Sequence, residues 1–102
     1  MVAKGSDFET ELKEEIIVAE PRRFKVILLN DDYSTMDFVV EVLMVIFNKN
    51  FDEALGVMLK VHNEGRGVCG IYPYDVAETK VSQVKKKAEE SGFPLRAILE
   101  EC

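Results

Sequence analysis

From Phe24 onward the apolar positions follow two rhythms, one of period two and one of period three to four. In Phe24–Leu29, Phe24, Val26 and Leu28 share one face of a β-rich run, with Lys25 opposite at its solvated end. Turn formers Asn30-Asp31-Asp32-Tyr33 break the strand. Ser34 followed by Asp37 has the spacing of a capping box and predicts a helix running to about Phe47. Asn48-Lys49-Asn50 is the next turn. Asn50 with Glu53 repeats the cap for a second helix, which Gly65 ends. Gly67–Tyr72 reads as a strand halted by Pro73. Asp75 with Glu78 predicts the cap of a third helix, whose apolar positions Ala77, Val81, Val84 and Ala88 keep helical spacing. Lys85, Lys86 and Lys87 fall near its expected C-terminus, where the helix dipole favours cations. Gly92 closes it, and Leu95–Glu100 forms a last strand. The order β-α-α-β-α-β predicts a small single-domain α+β sandwich with the helices on one face of the sheet.

Charge separates the first 20 residues from the rest. Residues 1–20 carry two lysines against six acids, whereas residues 21–102 are nearly balanced. Their single apolar cluster, Ile16–Ala19, is too short to found a core, so residues 1–20 read as a flexible acidic extension and 21–102 as the core domain. A formal net charge of −6 disfavours nucleic acid and anionic membrane as partners, because both repel a negative protein. The longest apolar run, Val42–Phe47, falls far short of the roughly 20 residues that span a bilayer. The N-terminus offers no apolar stretch of the signal-peptide kind. Cys69 and Cys102 make no disulfide framework, and a reducing cytoplasm is the expected compartment.

Two suggestive motifs fail on context. Gly65-Arg66-Gly67-Val68-Cys69-Gly70 matches G-x-G-x-x-G, but a dinucleotide loop follows a strand and opens a helix, and this run does the reverse. One histidine and two distant cysteines give no metal-ligand spacing, so neither metal nor cofactor is expected. A Cys69–His62 nucleophilic pair is conceivable, but Cys69 lies inside an expected strand, where it reads as a small buried apolar residue.

Asn30-Asp31-Asp32 at a strand end is more informative when taken with the helices. Met58, Val61 and His62 share one face of the second helix, and Met36 and Val39 are related in the same way on the first. Carboxylates beside an imidazole and thioethers describe a pocket with an anionic rim and an apolar floor. A free peptide N-terminus suits it, since an α-amine of pKa about 7.7–8.0 is mostly protonated at neutral pH and stands next to a side chain.

The blocks Arg23–Met36, Met58–His62 and Val76–Lys80 closely resemble ClpS, the bacterial adaptor family that hands proteins with destabilising N-terminal residues to a Clp ATPase-protease. The resemblance implies a three-stranded antiparallel sheet and no enzymatic activity. It implies that Asn30, Asp31 or Asp32, and His62 hold the substrate α-amino group, the second aspartate being the favoured contact. Ser34, Met36, Val39, Met58, Val61 and Leu95 would line the side-chain pocket for Leu, Phe, Tyr or Trp. Asp75, Glu78 and Lys80 match the region that docks on the N-terminal domain of a ClpA-like or ClpC-like AAA+ ATPase. A monomer is expected, with the N-terminal extension taking part in delivery. Two other classes compete. A ribosome-associated interaction domain of similar fold leaves Asn30, Asp32 and His62 without work. An acid hydrolase using Asp31 and Asp32 is disfavoured because adjacent residues in extended chain point opposite ways.

Overall fold

A computed structural model describes residues 22–102; the acidic extension and its expected part in delivery lie outside the described residues. Six elements follow in the expected order: β1 (Arg23–Leu29), α1 (Met36–Val45), α2 (Phe51–Glu64), β2 (Arg66–Pro73), α3 (Tyr74–Ser91) and β3 (Arg96–Glu101). The sheet is three-stranded and antiparallel, in the order β2-β1-β3, so the strand with the strongest alternating signal is central.

Val26 and Leu28 project from β1 into a core shared with Phe38, Val39, Val42 and Leu43 of α1, Ala54, Met58 and Val61 of α2, and Ala77, Val84 and Ala88 of α3. Each helix thus contributes residues spaced by three or four, the stripe that buries one face of an amphipathic helix. A bulge between Val26 and Ile27 shifts the β1–β2 register by one residue, and Cys69 joins the core there. Burial pushes the Cys69 thiol up to about 12, so it is no thiolate nucleophile at neutral pH.

Two helix starts differ from expectation. Residue Thr35, not Ser34, is the N-cap of α1: its backbone is extended and its Oγ1 accepts from the Phe38 N–H at 3.1 Å. Ser34 has been drawn into the preceding turn, where the Asp31 carboxylate accepts its N–H. At α3, Pro73 holds the cap position without a side-chain cap, and Asp75 falls inside the first turn. The physical reason is that β2 runs directly into α3, which leaves no loop residue free to act as a capping acceptor. The last turn of α3 carries no basic residue; Lys85–Lys87 lie before it. By contrast, the Asn50–Glu53 capping box forms with both of its hydrogen bonds, at 2.8 and 2.9 Å. Gly65 closes α2 in the left-handed region, at φ 88°.

Candidate functional site

The end of β1 meets the end of α2 through one backbone hydrogen bond, from the Asn30 N–H to the Gly65 carbonyl at 2.9 Å. Gly65 adopts the left-handed turn that exposes this carbonyl, so the C-cap of α2 anchors the loop carrying the two aspartates. A five-residue connection, 46–50, joins α1 to α2, and such a short helical hairpin sets the start of the first helix beside the end of the second. Met36 and Val39 of α1 therefore face Met58, Val61 and His62 of α2, with residues 30–34 along one side.

A cavity of about 240 Å³ opens between them, lined by Asn30, Asp31, Asp32, Ser34, Met36, Val39, Met58, Val61 and His62. Nine of the ten pocket residues named from sequence meet here. The tenth, Leu95, is buried in the same core cluster as Val39, Met58 and Val61 and lines a neighbouring cavity between α3 and β3, with Val81, Lys85, Phe93 and Arg96 around it. Val39, Met58 and Val61 are buried and form an apolar floor, while Asn30, Asp32 and His62 are exposed at the rim. The two methionines occupy different depths: Met36 is 47% exposed and Met58 only 5%.

The two aspartates are not equivalent. Asp31 Oδ1 accepts from the Tyr33 N–H at 2.8 Å and the Ser34 N–H at 2.6 Å, which closes an Asx-type turn and fixes the carboxylate. Its Oδ2 is buried without a hydrogen-bond partner, and so is the hydroxyl of Ser34. Asp32 is exposed. A buried acceptor left unpaired costs free energy on the order of 1–3 kcal/mol, so Asp31 Oδ2 is an oxygen suited to a ligand donor. Burial pulls the Asp31 carboxyl up, but the Ser34 N–H, the nearby Ser34 hydroxyl and the Tyr33 N–H together hold it below its ordinary value. Its carboxylate is thus fixed in the turn, whereas Asp32 stands free at the exposed rim.

Gly67 of β2 packs under this floor. A Cβ added there would stand 2.8 Å from Val61 Cγ2 and 3.4 Å from Val57. Val61 belongs to a buried helix face, and the open space beside it is the cavity it lines. Gly67→Ala is expected to destabilise the domain by roughly 1–3 kcal/mol and to push Val61 into the cavity. Chemical denaturation alongside a ligand titration checks both, and unchanged stability would show that Val61 yields freely.

The proposed docking residues lie on the first two turns of α3. Asp75 and Glu78 are exposed, Glu78 accepting from the Tyr74 hydroxyl at 2.7 Å. Lys80 is partly buried: its ammonium donates to the Ile46 carbonyl at 2.7 Å, tying α3 to the end of α1, and stands 5.8 Å from the centre of the Tyr72 ring. Among the described residues no cluster of three His, Cys, Asp or Glu could hold a metal ion, and no helix is long and apolar enough to cross a membrane.

Known proteins are similar to this chain in sequence and in fold. A family model described as "ATP-dependent Clp protease adaptor protein ClpS" matches residues 19–98. A relative from Wolinella succinogenes, named ATP-dependent Clp protease adapter protein ClpS, is 99% identical over 102 residues and the match covers the whole of both chains. One of the same name from Helicobacter hepaticus is 51% identical over 94 residues, covering 92% of this chain and 93% of its own. Among solved structures, Agrobacterium tumefaciens ClpS2 bound to L-phenylalaninamide superposes with a TM-score of 0.79 at 37% identity, covering 81% of this chain and 100% of that one. With three helices on a three-stranded antiparallel sheet among its described residues and a family match over most of its length, the chain belongs to the ClpS family of ATP-dependent Clp protease adaptors, which are not enzymes.

Proposed function

We propose that the cavity holds the first residue of a substrate protein, and that the adaptor selects Leu, Phe, Tyr or Trp at that position for a Clp ATPase-protease. The observation that carries this reading is the buried, unpartnered Asp31 Oδ2 at the lip of an apolar-floored cavity. A protonated α-amine supplies the missing donor and charge, with Asn30 and His62 at the same rim. The side chain descends onto Val39, Met58 and Val61. At about 240 Å³ the cavity is smaller than the roughly 300–1,000 Å³ of sites for drug-sized ligands, which suits one side chain and not a longer segment. The solved ClpS2 relative is bound to L-phenylalaninamide, a ligand that joins an α-amine to an aromatic side chain.

Titration with three peptides identical after residue one tests the reading. A Phe-initiated peptide is expected to bind, whereas Met-initiated and N-acetylated Phe-initiated peptides bind far more weakly. Equal binding of the free and acetylated forms would dismiss the cavity as an α-amine site. A ribosome-associated role predicts no discrimination among the three.

In this reading Asp75, Glu78 and Lys80 mark the face presented to the N-terminal domain of a ClpA-like or ClpC-like ATPase, in the cytoplasm, with the adaptor acting as a monomer. The extension then serves delivery and not recognition. Deleting residues 1–17 is expected to leave peptide affinity within about twofold, because the cavity residues begin at Asn30. Degradation of a Phe-initiated reporter by the ATPase-protease is expected to fall sharply. A deletion variant that delivers at the parent rate would reduce the extension to an overhang.

A further inference from the structure

The second face of the sheet departs from the usual pattern. An antiparallel sheet packed on one side turns polar residues to the other. The register puts Lys25, Ile27 and Leu29 of β1 on the side away from the helices, beside Ile71, Val68 and Arg66 of β2 and Glu100, Ile98 and Arg96 of β3. Five of these nine are apolar, and they adjoin one another in the middle of the face. Val68 is 42% exposed and Ile71 48%. Ile27 is fully buried yet lies outside the helix-side core. Part of its cover is the Arg66–Glu100 ion pair, at 2.6 Å, whose two residues flank it diagonally in the register.

We propose that residues Glu14–Ala19 of the extension dock on this helix-free face. The described chain begins at Arg22, at the entrance to the central strand of that face. The sequence Glu20-Pro21-Arg22-Arg23 offers Pro at the position that a four-residue turn favours, which suits the reversal this docking requires. Along the strand, same-face positions recur about every 7 Å, so the row of Lys25 and Ile71 lies about 7 Å beyond Arg23 and the row of Ile27, Val68 and Ile98 about 13 Å. Running back from the turn at Glu20, Ile16–Ala19 covers roughly 3–14 Å and reaches both rows with the one apolar cluster the extension has. The two residues before that cluster, Glu14 and Glu15, then arrive at the third row, where Arg96 flanks Leu29 on one side and Arg66, already paired with Glu100, on the other. Apolar meets apolar and acid meets arginine in a single register.

A second copy of the chain is a poorer occupant. Three strands about 4.8 Å apart make a face of only a few hundred Å², against the roughly 800 Å² that each partner commonly contributes to a stable complex. Docking on this side leaves the helix-side cavity open, so the inference does not depend on what the cavity binds.

Methyl-resolved NMR of the full-length chain tests it without a ligand. Ile17→Asp is expected to move the methyl signals of Val68, Ile71 and Ile98, while those of Val84 in the core and Met58 in the cavity keep their positions. Glu14→Lys together with Glu15→Lys is expected to move the same signals by a smaller amount, in the same direction, and Val2→Asp to leave them in place. Unmoved Val68, Ile71 and Ile98 signals in the Ile17→Asp protein would overturn the proposal. So would parent signals that shift on dilution and ignore Ile17→Asp, since that behaviour assigns the face to a second copy.

Discussion

Asp31→Asn is expected to weaken binding of a Phe-initiated peptide by roughly 30-fold or more, equivalent to about 2–4 kcal/mol, the scale of losing a charge-assisted hydrogen bond set in a partly desolvated site. Asparagine is the informative replacement because it preserves the turn. Its amide oxygen can go on accepting from the Tyr33 and Ser34 N–H groups, as Asp31 Oδ1 does. The second position, now the buried Oδ2, becomes an NH₂ group. A donor then faces the donor of an α-ammonium, and the charge that attracted it has gone. Asp32→Asn removes the same formal charge from an exposed position a residue away. Its influence is long-range and screened, with a Debye length near 10 Å at 0.1 M salt, so a loss of about threefold or less is expected. Isothermal titration of both variants at low and moderate salt separates the two. Equal losses would mean that only net rim charge matters and that the orientation of Asp31 is incidental. Thermal melting coincident with the parent shows that the domain has not been disturbed.

What could be read from sequence was local, and what could not was decided across the fold. The β1 alternation and the Asn50–Glu53 box each involve residues no more than four apart, and both formed as their spacing predicts. The start of α1 did not, because Ser34 and Thr35 are chemically near-equivalent caps. The choice between them falls to the Asp31 turn, which takes the Ser34 N–H. That same turn fixes Asp31 and leaves Asp32 exposed, and no spacing rule distinguishes the two. Lys80 bonds to a carbonyl 34 positions away, a contact that only the packing of α3 against the end of α1 creates. Leu95, expected at the pocket through family resemblance, precedes β3 and is buried in the core cluster that also holds Val39, Met58 and Val61, a placement no local spacing gives. The cavity itself was legible because helical spacing brings Met58, Val61 and His62 to one face whatever the rest of the fold does. Its partner wall needed the hairpin between α1 and α2.

That wall rests on Phe38. The first turn of α1 carries Met36 and Val39 to the cavity, and it is held in two ways. Thr35 caps it at the Phe38 N–H, and the buried Phe38 ring packs against Phe93, with centroids 4.6 Å apart and the planes tilted by 38°. Phe93 follows the C-cap of α3, so the contact clamps the start of α1 to the end of α3. Truncating a buried phenylalanine commonly costs about 3–5 kcal/mol, part from lost transfer free energy and part from the cavity left behind. Against a total stability on the order of 5–15 kcal/mol for a domain of this size, Phe38→Ala removes a large share. Its thermal midpoint is expected to fall by roughly 12 °C or more, since each kcal/mol shifts a domain of 60–100 residues by about 4–8 °C. Phe38→Leu keeps part of the apolar volume but loses the ring contact, and an intermediate loss is expected. The functional consequence separates this anchor from the ligand contacts. Where Phe38→Leu is still fully folded, peptide affinity is expected to fall only modestly, because the Asp31 turn is untouched while Met36 and Val39 hang on a looser turn. Differential scanning calorimetry followed by titration at a temperature well below both midpoints makes the comparison. A Phe38→Ala protein that melts within a few degrees of the parent would show that α1 is held by Val42 and Leu43 alone, and that the wall of the cavity does not depend on the clamp to α3.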